Sequence, residues 1–238
     1  MKICFLGTSH GVPEKERFCS CTAISINDSI YVIDAGVSLF SALRHNDLSP
    51  DNVKGIFLTH NHGDHSSGLA EYVDLISWSR KEVNPAIFMP TREAADAMHA
   101  WVKLMDNGRD IELSVTHEGV IFHDENVKVT AIRTLHANPS FAYMLEAEGK
   151  RIVFTGDIKR TMEDYPSVIL NEHCDLVVCE CAHVRVGESA DILSKSNTDL
   201  MIFNHINPRH GYEQFDMLKE HGTPFKIILS NDSDVFEI

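Results

Sequence analysis

Short apolar runs rich in β-branched residues recur at 2–6, 21–26, 29–34 and 55–59, and again at 86–89, 127–135, 141–147, 151–155, 175–179, 200–204 and 225–229. Each is bounded by polar, Gly or Pro positions and predicts a strand. Glu148-Gly149-Lys150 falls between two of them and predicts a tight hairpin turn. Apolar residues at three- and four-residue spacing predict helices over 68–79 and 91–106. The second carries Ala94, Ala97, Met98, Trp101, Leu104 and Met105 on its periodic positions, with Thr91 placed to cap its start. Two further helices are expected over 161–172 and 211–221. Strands dominate early, and helices separate strand groups in both halves. That order predicts an α/β (α+β) protein built as a four-layer αββα sandwich, two mixed sheets with helices outside, in one domain over 1–238.

Composition narrows the class. The chain has 238 residues, 43% hydrophobic and 24% charged, which excludes disordered and fibrous proteins. Asp plus Glu number 35 against 21 Lys plus Arg, a net charge of −14. Such acidity argues against a broad electrostatic grip on nucleic acid, but it leaves room for one local cationic pocket. No run approaches the roughly 20 apolar residues that a membrane helix needs, and Met1–Gly7 turns polar too soon for a signal peptide. Six cysteines, at 4, 19, 21, 174, 179 and 181, are then expected as reduced thiols in a cytoplasmic protein, with no membrane partner. Fourteen histidines are many, and histidine is the commonest metal ligand.

Three of those histidines, with Asp64, cluster in Thr59-His60-Asn61-His62-Gly63-Asp64-His65, directly after the run Gly55–Leu58. In extended backbone His60 and His62 point to the same side. Gly63 would let the chain bend sharply and bring Asp64 and His65 round. Four nitrogen and oxygen donors in six residues can serve two neighbouring ions, and imidazole with carboxylate suits zinc, manganese or iron.

This segment resembles the metal-binding signature of the metallo-β-lactamase superfamily, whose fold is the αββα sandwich. The resemblance implies further ligands at strand ends: His136 after 127–135, Asp157 in Thr155-Gly156-Asp157, and His205 after 200–204. It further implies that His60, His62 and His136 hold one metal and Asp64, His65 and His205 the other, with Asp157 bridging. Asp34, before Ala35-Gly36, is similar to the family's aspartate that braces the ligand loop. The opening Phe5-Leu6-Gly7-Thr8-Ser9-His10-Gly11-Val12-Pro13 resembles ribonuclease Z and its smaller phosphodiesterase relatives. Asp175–Glu180 resembles their strand ending in a catalytic-site glutamate, and His183 stands where they have an extra, non-ligand histidine. His205-Ile206-Asn207-Pro208-Arg209 resembles their last motif. The resemblance therefore implies Asp64, Glu180 and His183 as catalytic residues and Arg209 as a phosphate contact.

The resemblance implies a dinuclear metal-dependent hydrolase carrying two divalent ions, zinc foremost, in which a hydroxide between the ions attacks. His183, held protonated beside Glu180, would donate to the leaving oxygen. Arg209, a planar fork matched to phosphate oxygens, favours phosphodiesters. Ribonuclease Z enzymes that process transfer RNA usually carry a long arm, in many bacterial members between the ligands matching His136 and Asp157. Only a plain hairpin fits in 137–156 here. The expected substrate is accordingly a small-molecule or short nucleotide phosphodiester, not a folded RNA, and a homodimer stays open. The alternatives are an ester, lactone or thioester hydrolase, an armless transfer-RNA 3′-processing endoribonuclease, and an inactive metal-binding protein. Tyr165 faintly resembles the tyrosine of lactonases, and Cys19 and Cys21 an extra zinc site of some phosphodiesterases. The two cysteines are read instead as reduced structural thiols.

Overall fold

Alternate residues of the first strands face two different cores, and that alternation stacks the molecule in layers. In β1 (Lys2–Gly7) Ile3 and Phe5 point one way and Cys4 and Leu6 the other. In β3 (Ser29–Ile33) Tyr31 and Ile33 oppose Ile30 and Val32. Strands covered on both faces read as unbroken apolar runs, which is why the sequence pattern finds them. The computed structural model describes residues 1–105 and 109–238.

Among these, fourteen strands form two seven-stranded sheets. The first contains β1, β2 (Cys21–Ile26), β3, β4 (Val53–Phe57), β5 (Ala86–Met89), β6 (Leu113–Val115) and β14 (Val235–Glu237), in the order β14-β1-β2-β3-β4-β5-β6. The second contains β7 (Gly119–His123), β8 (Lys128–Thr134), β9 (Ser140–Ala147), β10 (Lys150–Phe154), β11 (Cys174–Cys181), β12 (Thr198–Ile206) and β13 (Lys226–Leu229), in reverse sequential order. Both sheets are mixed. β3 to β6 run parallel, as do β10 to β13, while β1 to β3 and β7 to β10 pair antiparallel.

Three apolar clusters fill the spaces between four layers. The central one joins the sheets through Phe5, Tyr31, Phe57, Tyr143, Phe154 and their neighbours. An outer one lies under α1 (Leu39–His45), α3 (Leu69–Ser79) and α4 (Arg92–Leu104). The other lies under α5 (Val168–Asn171), α6 (Ala190–Leu193) and α7 (Gly211–His221). This is the expected αββα sandwich. No helix among the described residues is long and apolar enough to cross a membrane.

The helices over 69–79, 92–104 and 211–221 match their predicted positions, and Thr91 Oγ1 accepts the Ala94 amide at 3.0 Å. Residue 106, the predicted end of the second, lies outside the described residues. The helix expected over 161–172 shrinks to Val168–Asn171. Met162 has φ 56°, and Pro166 disfavours helix at Tyr165, so 161–167 folds as turns. Three edge strands escape the pattern: β6 and β14 because they have only three residues each, and β7, like β14, because it is only partly covered. Helix α1 and the one-turn helices α2 (Gly63–Ser66) and α6 escape it for want of length.

β1, β3, β4, β8, β10, β11 and β12 all end at the same edge of the sandwich. The segments carrying the candidate residues leave from that edge. Ser9 bridges both Cys19 and Ile206 there, so the loop after β1 is clasped between the two sheets.

Candidate metal centre

The first sheet builds half of the site through a brace of short contacts. Asp34, in the left-handed region at φ 61°, accepts the Thr59 amide at 2.7 Å and the Thr59 hydroxyl at 2.9 Å. Its Oδ2 lies 2.7 Å from Nδ1 of His65. An imidazole that donates from Nδ1 to a carboxylate turns Nε2 outward as a donor atom for a metal. The backbone of the ligand loop sits directly on the segment after β3. The Ala35 amide donates to the His65 carbonyl at 2.7 Å, and a Cβ at Gly36 would stand 1.8 Å from the Asp64 carbonyl oxygen. Gly36 is therefore required for close approach. Gly63 is not. It opens α2 with open space where a Cβ would be, so the bend attributed to it comes from the helical turn.

The second sheet supplies the other half. His136 follows β8, Asp157 follows β10 through Gly156 at φ 56°, and His205 lies in β12 at φ 52°. A Cβ at Gly156 would meet the Phe141 carbonyl at 2.8 Å, so glycine serves both the backbone conformation and the space here. Non-glycine residues at positive φ, as Asp34 and His205 are, cost conformational energy and concentrate at functional sites.

Donor atoms from both halves converge. His60, His62 and His136 each offer a ligand atom within 4.8 Å of the others, and so do Asp64, His65 and His205. Between the two groups lies Asp157. Its Oδ2 is 3.3 Å from His205 Nε2, 3.5 Å from both His65 Nε2 and His136 Nε2, and 3.7 Å from His60 Nε2. Both Asp157 oxygens and the Nε2 atoms of His65 and His205 are buried without a hydrogen-bond partner. Buried polar atoms left this way are costly, and donors of this chemistry gathered at such range fit divalent metal ions. Burial works against the Asp157 charge, but the His205 and His65 imidazoles overcome it and hold the carboxyl well below its usual range. Burial, followed by repulsion from His65, pushes His60 down to about 2. The neutral imidazole that results is the form that binds metal. Ser20 Oγ lies 2.7 Å from His205 Nδ1 and fixes that ring. Ser20 was invisible in the sequence, since its role depends on β2 and β12 meeting across the sandwich.

Beside the donors, Glu180 is 1% exposed. Its Oε1 accepts the Ile158 amide at 3.1 Å and its Oε2 those of Ala182 and His183 at 2.9 and 2.6 Å. His183 Nδ1 stands 3.4 Å from both Glu180 Oε2 and Asp157 Oδ2, so the structure brings the pair together at the metal mouth. Arg209 is exposed, and among the described residues its guanidinium makes no ion pair or hydrogen bond. Tyr165 is buried in the outer core, its hydroxyl 2.9 Å from Ser196 Oγ, and takes no part in the site. All six cysteines are free and buried, and burial raises the Cys19 and Cys21 thiols above their ordinary value. The segment 137–156 is the plain hairpin expected, with Glu148 and Gly149 at φ 53° and 74° turning β9 into β10.

Fold and donor set together define a metallo-β-lactamase-fold protein of the ribonuclease Z-like branch. Within it, the family described as Anti-Pycsar protein Apyc1 matches residues 1–192, and the chain belongs to that family. A ribonuclease Z of Geobacillus kaustophilus is 31% identical over 148 residues, covering 60% of this chain and 48% of the relative. The chain thus spans about half the length of the curated relatives it matches. Among solved structures, the short form of human tRNase Z superposes with a TM-score of 0.81 at 21% identity, covering 100% of this chain and 99% of that one. The metallo-β-lactamase fold protein YhfI of Bacillus subtilis gives 0.82 at 15% identity, covering 100% and 99%.

Proposed function

We propose that the protein is a metal-dependent phosphodiesterase acting on small or unstructured phosphodiesters. The observation that carries this reading is the ring of histidines around Asp157, whose two oxygens have no hydrogen-bond partner. His60, His62 and His136 would hold one divalent ion, Asp64, His65 and His205 another, and Asp157 both, with zinc the best match to this donor set. Such ions supply activated water and stabilise charge growing on phosphoryl oxygens.

The chain's own residues do the rest. Asp34, through Thr59 and His65, holds the ligand loop in register with the second sheet. Glu180, locked by three backbone amides, lies beside His183 and favours that ring's protonated form. His183 then donates a proton to the leaving oxygen. Arg209, with a free guanidinium, engages a non-bridging phosphate oxygen. Support for phosphodiester chemistry comes from the sequence likeness to ribonuclease Z enzymes. Support for a small substrate comes from the two-residue turn that occupies the arm position and from the acid excess, which disfavours long-range capture of a polyanion.

The test compares kcat/KM of the metal-loaded protein on an aryl phosphodiester, a cyclic phosphodiester, a lactone, a thioester and a precursor transfer RNA. Turnover of the small phosphodiesters far above the others is expected. Efficient cleavage of the transfer RNA alone, or of the lactone or thioester alone, would overturn the assignment.

A further inference from the structure

The loop after β1 contains a buried cation that the chemistry above does not use. Arg17 is 8% exposed and has no carboxylate within ion-pair distance among the described residues. Its guanidinium donates to Thr8 Oγ1 at 2.5 Å, the Ser230 carbonyl at 2.7 Å, Asn231 Oδ1 at 2.7 Å and the Tyr212 hydroxyl at 3.2 Å. Its Cζ also lies 5.9 Å from the centre of the Tyr212 ring. Thr8 passes the connection on, since its hydroxyl donates to Asp232 Oδ1 at 2.6 Å, while Asp232 Oδ2 accepts the Phe18 amide at 2.6 Å. Burying an arginine is expensive, and this one is satisfied by four groups from three separate segments. Its effect is to tie both ends of the 8–18 loop to the turn after β13 and to the start of α7.

What that loop presents to the site is His10. The His10 amide donates to the Ile206 carbonyl at 3.3 Å, one residue past His205. A Cβ at Gly11 would stand 3.6 Å from Asp64 Oδ2, so the backbone here lies against the candidate ligand itself. The charged and titratable groups close enough to act electrostatically on His10 are His205, Glu14, Asp64 and Arg209. The ring is partly exposed and forms no hydrogen bond among the described residues. The loop backbone lies on the Asp64 side of the centre, whereas the His183 ring packs 4.4 Å from that of His136 and 5.7 Å from that of His205.

We propose that His10 is a substrate-contacting residue, donating an imidazole N–H to a phosphoryl oxygen, and that Arg17 is the positioning residue that holds it there. The inference rests on the phosphodiesterase reading, and it extends the phosphate contacts from Arg209 alone to a pair on one flank. A half-open imidazole and the Arg209 guanidinium, both without a hydrogen-bond partner among the described residues, lie on segments that a buried network holds beside Asp64 and His205.

The experiment uses the metal-loaded protein and two readouts: calorimetric binding of inorganic phosphate, and kcat and KM for an aryl phosphodiester. His10→Ala is expected to weaken phosphate binding and raise KM by about tenfold, the size of one hydrogen bond to a charged group, with a smaller change in kcat. Arg17→Lys, which cannot span four acceptors, should shift both in the same direction without loss of bound metal. The double variant should be no worse than His10→Ala, because Arg17 acts through His10. Should Arg17→Lys fail to fold, Asn231→Ala removes one acceptor and should give a smaller shift that also vanishes in the His10→Ala background. Unchanged phosphate affinity in His10→Ala, or losses that add in the double variant, overturns the proposal. A wild-type protein that turns over no phosphodiester sinks the phosphodiesterase reading instead, and phosphate binding alone then decides for or against His10.

Discussion

Glu180 Oε2 lies 3.4 Å from Nδ1 of His183 while accepting the amides of Ala182 and His183 itself. The carboxylate is thus fixed before it meets the imidazole, and the last residues of β11 with the turn after them carry the pair to the mouth of the candidate centre. Contact with Glu180, opposed by burial and aided by Asp157, raises the His183 pKa to about 9.

A raised pKa means that the ring keeps its proton below about 9 and loses it above. If His183 protonates the leaving group, kcat should hold up to about pH 9 and then fall roughly tenfold per pH unit. Glu180→Gln should move that fall toward lower pH, and His183→Ala should lower kcat by roughly 10²–10⁴-fold and remove the alkaline limb. A pH–rate series on the three proteins checks this, and a limb that stays in place in Glu180→Gln would count against the pairing.

Elemental analysis after mild loading should find about two divalent ions per chain. The double variant His60→Ala/His62→Ala should lose at least one. Chelation should abolish turnover and lower the Tm, since ions that bind only the folded state stabilise it. Full activity after exhaustive chelation would exclude the centre as the catalytic site.

Asp34→Asn keeps the shape of the brace but weakens its hold on His65. Metal affinity should fall by about 10–100-fold, measured by competition with a chromophoric chelator, while far-UV circular dichroism stays native. An unchanged affinity would make Asp34 a fold residue only.

Arg209→Ala should mainly raise KM for a small phosphodiester, because a contact to a non-bridging oxygen is present in ground and transition states alike. An equal drop in kcat with KM unmoved would place the arginine on the transition state instead.

The long strands and the central helices were legible because both faces of each strand, or one face of each helix, are buried, so the apolar period survives in the sequence. β7 and β14, with partial cover, carry no such period, and α2 is too short to show one. At the site, His60, His62, Asp64 and His65 announced themselves by spacing alone, whereas His136, Asp157 and His205 were found only through resemblance. Ser20 and Arg17 had no local signal at all. Their partners, His205 and the 230–231 turn, lie far off in sequence, and only the pairing of the sheets brings them near.

The donor cluster draws four of its residues from the end of the first sheet and three from the end of the second. A chain in which either half is still unmade has only part of the donor set to offer. Metal capture is therefore expected late in folding, and it doubles as a checkpoint for completed assembly. A partly built molecule would shed its ions and leave its paired carboxylates and imidazoles open to water, where proteases and chaperones can reach them.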